Sequence, residues 1–198
     1  MLFPPEEIKL NIKEGDISYY PKVFNETEAF KYFNTILKET NWNQDNITVY
    51  GKTYPQPRLT ALFANNQKPY SYSNITMYPE SFSKTLLKIK HRIETIAHEE
   101  FTTCLANLYR HGLDSNGWHS DNEKELGRNP IIASVSFGEE RTFSLKHKNN
   151  KNLKHKLVLE HGSLLIMKGE TQNNWLHQIA KTKRKIKPRI NLTFRIIK

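Results

Sequence analysis

Hydrophobic spacing along the chain changes period as it proceeds. After Asn25-Glu26-Thr27-Glu28, the apolar residues Phe30, Phe33, Ile36 and Leu37 fall at helical intervals. An Asn in the capping position with an acid three residues on marks a helix start, so a first helix is predicted over about 25–40. Leu86, Ile89, Ile93 and Ile96 recur at i, i+3, i+7 and i+10. This predicts a second, amphipathic helix from Ser81 to about His98, with its apolar face packed on a sheet. Beyond it the period falls to two. Leu105 to Tyr109, Ile131 to Phe137, Thr142 to Leu145, Lys156 to Leu159, Leu164 to Met167 and Ile190 to Ile197 are predicted as strands. Short strands separated by turn signals at this spacing indicate a sandwich or jelly roll. Segment 41–79 fits neither period. Pro55, Pro57, Pro69 and Pro79 interrupt it, and its tyrosines and tryptophans come in short alternating pieces such as Thr48-Val49-Tyr50. Hairpins and loops rich in exposed aromatics are expected there, and Lys148-Asn149-Asn150-Lys151-Asn152 is expected to project as a loop.

Composition narrows the class. A chain of 198 residues fits one domain, and an apolar fraction of 37% suffices for a core of sandwich or barrel size. No apolar run approaches the ~20 residues of a membrane-spanning helix. The first residues lack the order of a secretory or transit signal, and the single Cys104 argues against an internal disulfide or a cysteine-based zinc site. Charge is divided unevenly. Residues 1–140 hold 15 Lys+Arg against 18 Asp+Glu, a balance of −3, whereas 141–198 hold 15 against 2, a balance of +13. Such a block suits a polyanion partner, because each cation that neutralises a phosphate releases a condensed counterion.

Candidate chemistry centres on Trp118-His119-Ser120-Asp121. In an extended segment, residues i and i+2 share a face, so the His119 imidazole and the Asp121 carboxylate can reach one metal ion. His177 offers a further imidazole. Two imidazoles and one carboxylate leave three positions open on an Fe(II) centre for a chelating cosubstrate and O2. The last strand adds Arg189, Asn191, Thr193 and Arg195 on one face, opposite Ile190, Leu192 and Phe194. Arginines facing inward are costly unless an anion meets them, and a dicarboxylate such as 2-oxoglutarate would satisfy both forks.

Taken in order, Asn107-Leu108-Tyr109, Trp118-His119-Ser120-Asp121-Asn122-Glu123, Ile132 to Gly138, His161-Gly162-Ser163-Leu164-Leu165, Trp175-Leu176-His177 and Pro188 to Arg195 resemble the AlkB-type Fe(II)/2-oxoglutarate-dependent dioxygenases, which remove alkyl groups from nucleobases. The resemblance covers about three quarters of the chain. Through Val49-Tyr50-Gly51-Lys52, Pro57-Arg58 and Tyr70-Ser71-Tyr72-Ser73 it looks most like the branch that repairs duplex DNA. It implies an α+β, mainly β fold: a double-stranded β-helix (jelly-roll) core, N-terminal helices packed on one sheet, and a nucleotide-recognition hairpin region. One domain over 1–198 is expected, with the helices and lid in 1–100 and the jelly roll in 101–198.

The same resemblance implies roles residue by residue. His119, Asp121 and His177 would ligate iron, and Asn107, Tyr109, Arg189, Asn191, Thr193 and Arg195 would hold 2-oxoglutarate, Arg189 at its distal carboxylate and Arg195 at the chelating end. Tyr50, Gly51, Lys52, Arg58, Tyr70, Ser71, Tyr72, Asn122 and Glu123 fall at or near the flipped base. Tyr50 stands where a Phe is more usual, and Asn122 replaces an acid often found there. The implied reaction couples decarboxylation of 2-oxoglutarate with O2 to hydroxylation of the methyl on 1-methyladenine or 3-methylcytosine, after which formaldehyde leaves and the base is restored. Lys183, Arg184 and Lys185, together with Lys181, and Lys146, Lys148 and Lys151 are placed against the DNA backbone, the first group beside the active-site mouth. A monomer is expected, binding DNA in single strands or duplexes and no membrane, in the cytoplasm of a bacterium or the nucleus of a eukaryote. The competing readings are an RNA demethylase or protein hydroxylase of the same fold, a non-catalytic nucleic-acid-binding relative, and a cupin-like structural protein. The intact ligand set and the arginine face count against the last two.

Overall fold

The computed structural model describes residues 5–49, 51–66, 70–72 and 75–197. The front of the chain forms β1 (Ile8–Lys9), β2 (Asp16–Tyr20), helix α1 (Glu26–Glu39), the hairpin β3 (Asn46–Val49) and β4 (Lys52–Pro55), β5 (Leu59–Ala64), the hairpin β6 (Tyr70–Tyr72) and β7 (Ile75–Met77), and helix α2 (Lys84–Ala97). Strands then dominate: β8 (Thr103–Tyr109), β9 (Asn116–His119), β10 (Ile132–Gly138), β11 (Arg141–His147), β12 (Lys154–Leu159) and β13 (Ser163–Lys168). The short helix α3 (Thr171–Asn174), β14 (Trp175–Ile179) and β15 (Arg189–Arg195) complete the chain.

Both predicted helices form for the reasons the pattern gives. The Asn25 side chain accepts from the Glu28 amide at 2.9 Å, and Ser83 accepts from the Leu86 amide at 3.2 Å, each satisfying a donor the first turn leaves open. The second helix therefore starts after Ser83 rather than at Ser81. Arg92 of α2 grips Glu28 of α1 with both nitrogens, at 2.6 and 2.8 Å.

Two antiparallel sheets make the core. The larger runs β1-β2-β13-β10-β15-β8-β5 and the smaller β12-β11-β14-β9. One face of the larger sheet is covered by the helices: Ile36, Leu86, Ile89 and Ile93 pack with Phe63, Val135, Phe137, Ile190, Leu192 and Phe194. Its other face meets the smaller sheet across Ile132, Leu165, Met167, Phe143, Leu145 and Trp175. The alternation of β15 therefore sends Ile190, Leu192 and Phe194 to the helices, each worth about 1.5–3 kcal/mol on burial. It sends Arg189, Asn191, Thr193 and Arg195 between the sheets, and all seven residues of the strand are buried.

Four strands depart from the sequence reading. Leu59–Ala64, expected among hairpins and loops, is a buried edge strand paired with β8; Ala61 and Phe63 face the helix-side core while Leu62 packs on Leu105. With both faces apolar it shows no alternation to detect. Asp16–Tyr20 pairs with β13, so strands from both parts of the first hundred residues flank the large sheet, and the core is not confined to 101–198. The strands β9, which is short and polar, and β14, whose inward positions are Trp175, His177 and Ile179, also escaped the periodicity. The two hairpins β3–β4 and β6–β7 do form in 41–79, as expected there.

Candidate active site

The two imidazoles meet because β9 and β14 pair antiparallel in the register His177↔His119, which brings the ring centroids to 4.2 Å. The next pair is Ile179↔Asn116, so two steps on β14 oppose three on β9. This bulge re-aims the strand: Asn116 and His119 both line the cavity between the sheets, while Trp118 is turned outward and is 39% exposed. His119 Nδ1 lies 2.7 Å from the Gly117 carbonyl. Donation there leaves Nε2, 3.8 Å from Asp121 Oδ1, as the ligand atom. Asp121 lies just past the end of β9, where Gln172 from α3 accepts its amide proton at 2.9 Å. Candidate ligand atoms of His119, Asp121 and His177 all lie within 4.8 Å of one another.

Electrostatics put His177 and Asp121 in their ligating forms. Burial, with the neighbouring His119, holds the His177 imidazole down to about 3, so it is neutral, and its ring stacks on Phe143 at 5.1 Å. Burial pushes the Asp121 carboxyl up, but Arg195, His177 and His119 outweigh it and leave the group ionised, well below the usual carboxylate range. Arg195 Nη2 donates to Asp121 Oδ2 at 3.0 Å, and Oδ1 is buried with no protein partner. Two imidazoles and a carboxylate with a spare buried oxygen are a donor set for a divalent cation with open positions, and Fe(II) fits it.

The opposite end of the cavity is built for an anion. Arg189 is 1% exposed. Its Nη2 donates to Ser136 Oγ at 2.8 Å, while Nε and Nη1 are buried without an acceptor. Burial pulls the guanidinium down to about 10, and its Cζ sits 5.2 Å from the centroid of the Tyr109 ring. Arg141 approaches that ring to 5.7 Å and holds the carbonyls of Asp114 and Ala180 at 3.1 and 2.7 Å, its own Nη1 unmatched. Buried guanidinium N–H groups without acceptors are expensive, and the carboxylate of 2-oxoglutarate fits them. Asn191 donates to Ser134 Oγ at 2.8 Å and accepts from Thr193 Oγ1 at 3.0 Å, forming a bonded floor between the two arginines.

The other expected residues are distributed more widely. Arg58 is 3% exposed, donates to Asn107 Oδ1 at 2.7 Å and lines the cavity between the sheets. Gly51 and Lys52 are exposed on the β3–β4 hairpin, and Asn122 is exposed next to Asp121. Glu123 precedes a single 3-10 turn, Lys124–Leu126. Tyr70, Ser71 and Tyr72 form β6. Tyr50 lies outside the described residues. Among the basic residues, Lys151, Lys183, Arg184 and Lys185 are exposed, and Lys146 lies over the Trp118 ring at 4.4 Å. Lys148 instead turns inward to the Gln172 carbonyl at 2.8 Å. The 180s segment runs tight against Gly112, where an added Cβ would meet the Thr182 and Arg184 carbonyls at 2.5 and 2.8 Å.

Gln172, Arg141 and Asn116 were not found from sequence. For Arg141 a signal existed: it shares parity with Phe143 and Leu145, which face inward, but it follows Glu139 and Glu140 and so resembles a surface charge run.

The sequence pattern of the 2OG-Fe(II) oxygenase superfamily matches residues 16–195. The chain belongs to that superfamily. Membership brings Fe(II), 2-oxoglutarate and O2 as cofactor and cosubstrates, and His119, Asp121 and His177 form the metal-binding triad. Within the superfamily, this oxygenase is an AlkB-family member, as its motifs suggested. It is 42% identical over 179 residues to the alpha-ketoglutarate-dependent dioxygenase alkB homolog 3 of Bos taurus, a match covering 86% of this chain and 62% of that protein. It is 34% identical over 194 residues to the DNA oxidative demethylase ALKBH2 of Mus musculus, covering 93% and 81%. The chain thus spans a little under two thirds of the first of these relatives. A solved structure, "The structure of OsALKBH1", superposes with a TM-score of 0.66 at 19% identity, over 96% of this chain and 100% of that one, which agrees with the jelly-roll expectation. No helix among the described residues is long and apolar enough to cross a membrane.

Proposed function

We propose that this oxygenase is an oxidative DNA dealkylase that removes the methyl group from 1-methyladenine and 3-methylcytosine and releases formaldehyde. One observation carries the reading: a two-imidazole, one-carboxylate cluster shares a cavity with the buried Arg189 guanidinium, whose Nε and Nη1 have no acceptor. Relatives that include a DNA oxidative demethylase give the substrate class. When bound, the iron with 2-oxoglutarate and O2 supplies the oxidising power for hydroxylation of the methyl group.

The chain's own residues do the remaining work. His119, Asp121 and His177 hold the metal. Arg195, bonded to Asp121, fixes that carboxylate and places positive charge at the chelating end. Arg189 takes the far carboxylate beside Ser136 and Tyr109, with Asn107, Asn191 and Thr193 lining the space between. Phe143, Leu159, Met167 and Ile179 exclude water around them. A base methylated on its Watson–Crick edge is poorly paired and cheaper to extrude. Tyr50, Gly51, Lys52, Tyr70, Ser71 and Tyr72, with Asn122 and Glu123, are assigned to receive it, and Lys151, Lys183, Arg184 and Lys185 to the flanking phosphates.

The test supplies Fe(II), 2-oxoglutarate and a 1-methyladenine oligonucleotide as single-stranded DNA, duplex DNA and RNA, and measures formaldehyde and restored base. Turnover on DNA with release of formaldehyde is expected. Iron binding without turnover on either form of DNA overturns the proposal, and turnover on RNA alone moves the substrate class.

A further inference from the structure

The outer face of the smaller sheet is open around Lys146 and Lys154, and at Ser144 and Lys156 it borders a pocket shared with Phe30 and Phe33 of α1 and with the 180s segment. Among the described residues no helix packs on it, and its outward positions follow directly from the register. Lys154 of β12 stands directly opposite Lys146 of β11, and Lys146 in turn opposite Leu176 of β14. One outward step along, Lys156 stands opposite Ser144, and Ser144 opposite Gln178. Trp118, outward because it neighbours the inward-facing His119 on β9, ends the row, and the Lys146 ammonium reaches across β14 to lie 4.4 Å from its ring centroid. Lys154 and Lys156 are exposed. No carboxylate occupies the outward positions of β11, β12 or β14, and no salt bridge forms to Lys146, Lys154 or Lys156 among the described residues.

This is an unfavourable arrangement for a sheet face standing alone. Like charges directly opposite in an antiparallel pair are destabilising. A Lys–Lys pair with a third lysine two residues away raises the cost, and Lys146 leaning toward Trp118 relieves only part of it. A polyanion laid across the strands would remove the repulsion and release counterions. An indole edge at the end of the row adds an aromatic surface of the kind that unpaired bases use. Three inter-strand spacings of roughly 4.8 Å separate β12 from β9, room for a few nucleotides of an unpaired strand.

We propose that this face, formed by Lys146, Lys154, Lys156 and Trp118, is the track for an unpaired nucleic-acid strand flanking the target nucleotide. It begins where Lys146 and Lys154 flank the β11–β12 turn and adjoins the 180s segment, since Lys156 shares a pocket with Lys181, Thr182 and Arg184. The inference rests on the nucleic-acid reading of the active site, and the experiment separates the two. Fluorescence anisotropy would compare binding of a single-stranded oligonucleotide of about 15 nucleotides with binding of a methylated trinucleotide, across a salt series, for the wild-type metal-loaded protein and for Lys154→Gln/Lys156→Gln. The double variant should bind the long strand about tenfold more weakly, with a salt slope flatter by roughly 1.4, or about 0.7 for each phosphate that is no longer neutralised. The trinucleotide, too short to reach the face, should shift by less than twofold. A Trp118→Phe variant, which keeps an aromatic surface, should retain most of the long-strand affinity, whereas Trp118→Ser should not. An unchanged long-strand affinity and slope in the double variant overturns the track and leaves the active-site reading standing. If the wild-type protein binds neither oligonucleotide, the nucleic-acid reading itself falls.

Discussion

Arg195 and Arg189 sit on one face of one strand, at 4% and 1% exposure, yet their circumstances are opposite. Arg195 donates to Asp121 at 3.0 Å, so the protein itself supplies its countercharge. Arg189 has a hydroxyl and a phenol ring for company and two N–H groups with no acceptor. The metal end of the cavity is therefore assembled before any ligand arrives, with its carboxylate ionised and oriented. The distal end holds uncompensated positive charge, at a cost of several kcal/mol per buried ion, which an incoming carboxylate recovers. Preassembly at one end and stored charge at the other suit a site that must hold a metal persistently and exchange its cosubstrate on every turnover.

Breaking the metal end should have the largest effect. His119→Ala or Asp121→Ala should reduce formaldehyde release to background and abolish metal binding, read directly with Mn(II) or Fe(II); retained metal affinity would remove these residues from the ligand set. Arg189→Ala comes next. Removing one partner of a buried charge pair costs about 2–5 kcal/mol, so affinity for 2-oxoglutarate should fall roughly 30- to 5,000-fold while metal affinity holds. Arg141→Ala, which removes only the second guanidinium on the Tyr109 ring, should cost about tenfold less. Equal losses for the two would mean that they act as one unit.

Stability sharpens the same contrast. At 100 times its dissociation constant, 2-oxoglutarate should stabilise the metal-loaded wild type by about 2.7 kcal/mol, a rise of several degrees in Tm. Arg189→Ala should show almost none of it at the same concentration. Gln172→Ala leaves the three ligands in place but frees the Asp121 amide, and should weaken metal binding about tenfold, the lower end of what removing an orienting bond costs. An unaffected metal affinity would show that the loop holds Asp121 without it.

The smallest effect is on acid stability. Burial pushes the Asp121 carboxyl up, but Arg195, His177 and His119 bring it below its unfolded value. Between those values the unfolded chain binds more protons, so stability rises with pH. The contribution is complete above an unfolded pKa of about 3.9 and is lost as pH falls below it. Melts of the metal-free protein from about pH 5 down to pH 3 should therefore decline more steeply than those of Asp121→Asn, by a few degrees. Parallel curves would show that the ion pair adds nothing to folding.

Much of the site was legible because its chemistry is written locally. His119 and Asp121 lie two residues apart, and the four polar residues of β15 alternate with three apolar ones, so a single strand displays both its core face and its site face. Arg58 was legible as a residue but not as a position, since its bond to Asn107 spans 49 residues. Gln172 gave no signal at all: what it does depends on a loop 51 residues earlier folding back onto α3. The strand Leu59–Ala64 was hidden for another reason. Buried on both faces behind Pro57, it lacks the alternation that marks a strand with one wet side.

The sequence by itself determined the periods of the helices and most strands, the donor types available to a metal and to a dicarboxylate, and the concentration of positive charge in the last third. Tertiary structure decided which strands pair, and with that everything that depends on a partner. Register put His177 opposite His119, a one-residue bulge turned Asn116 inward beside His119, and pairing gave Arg195 a carboxylate while leaving Arg189 without one. Periodicity records which face of a strand is buried, but the identity of the neighbour is fixed only when distant segments hydrogen-bond, and a buried charge takes its properties from that neighbour.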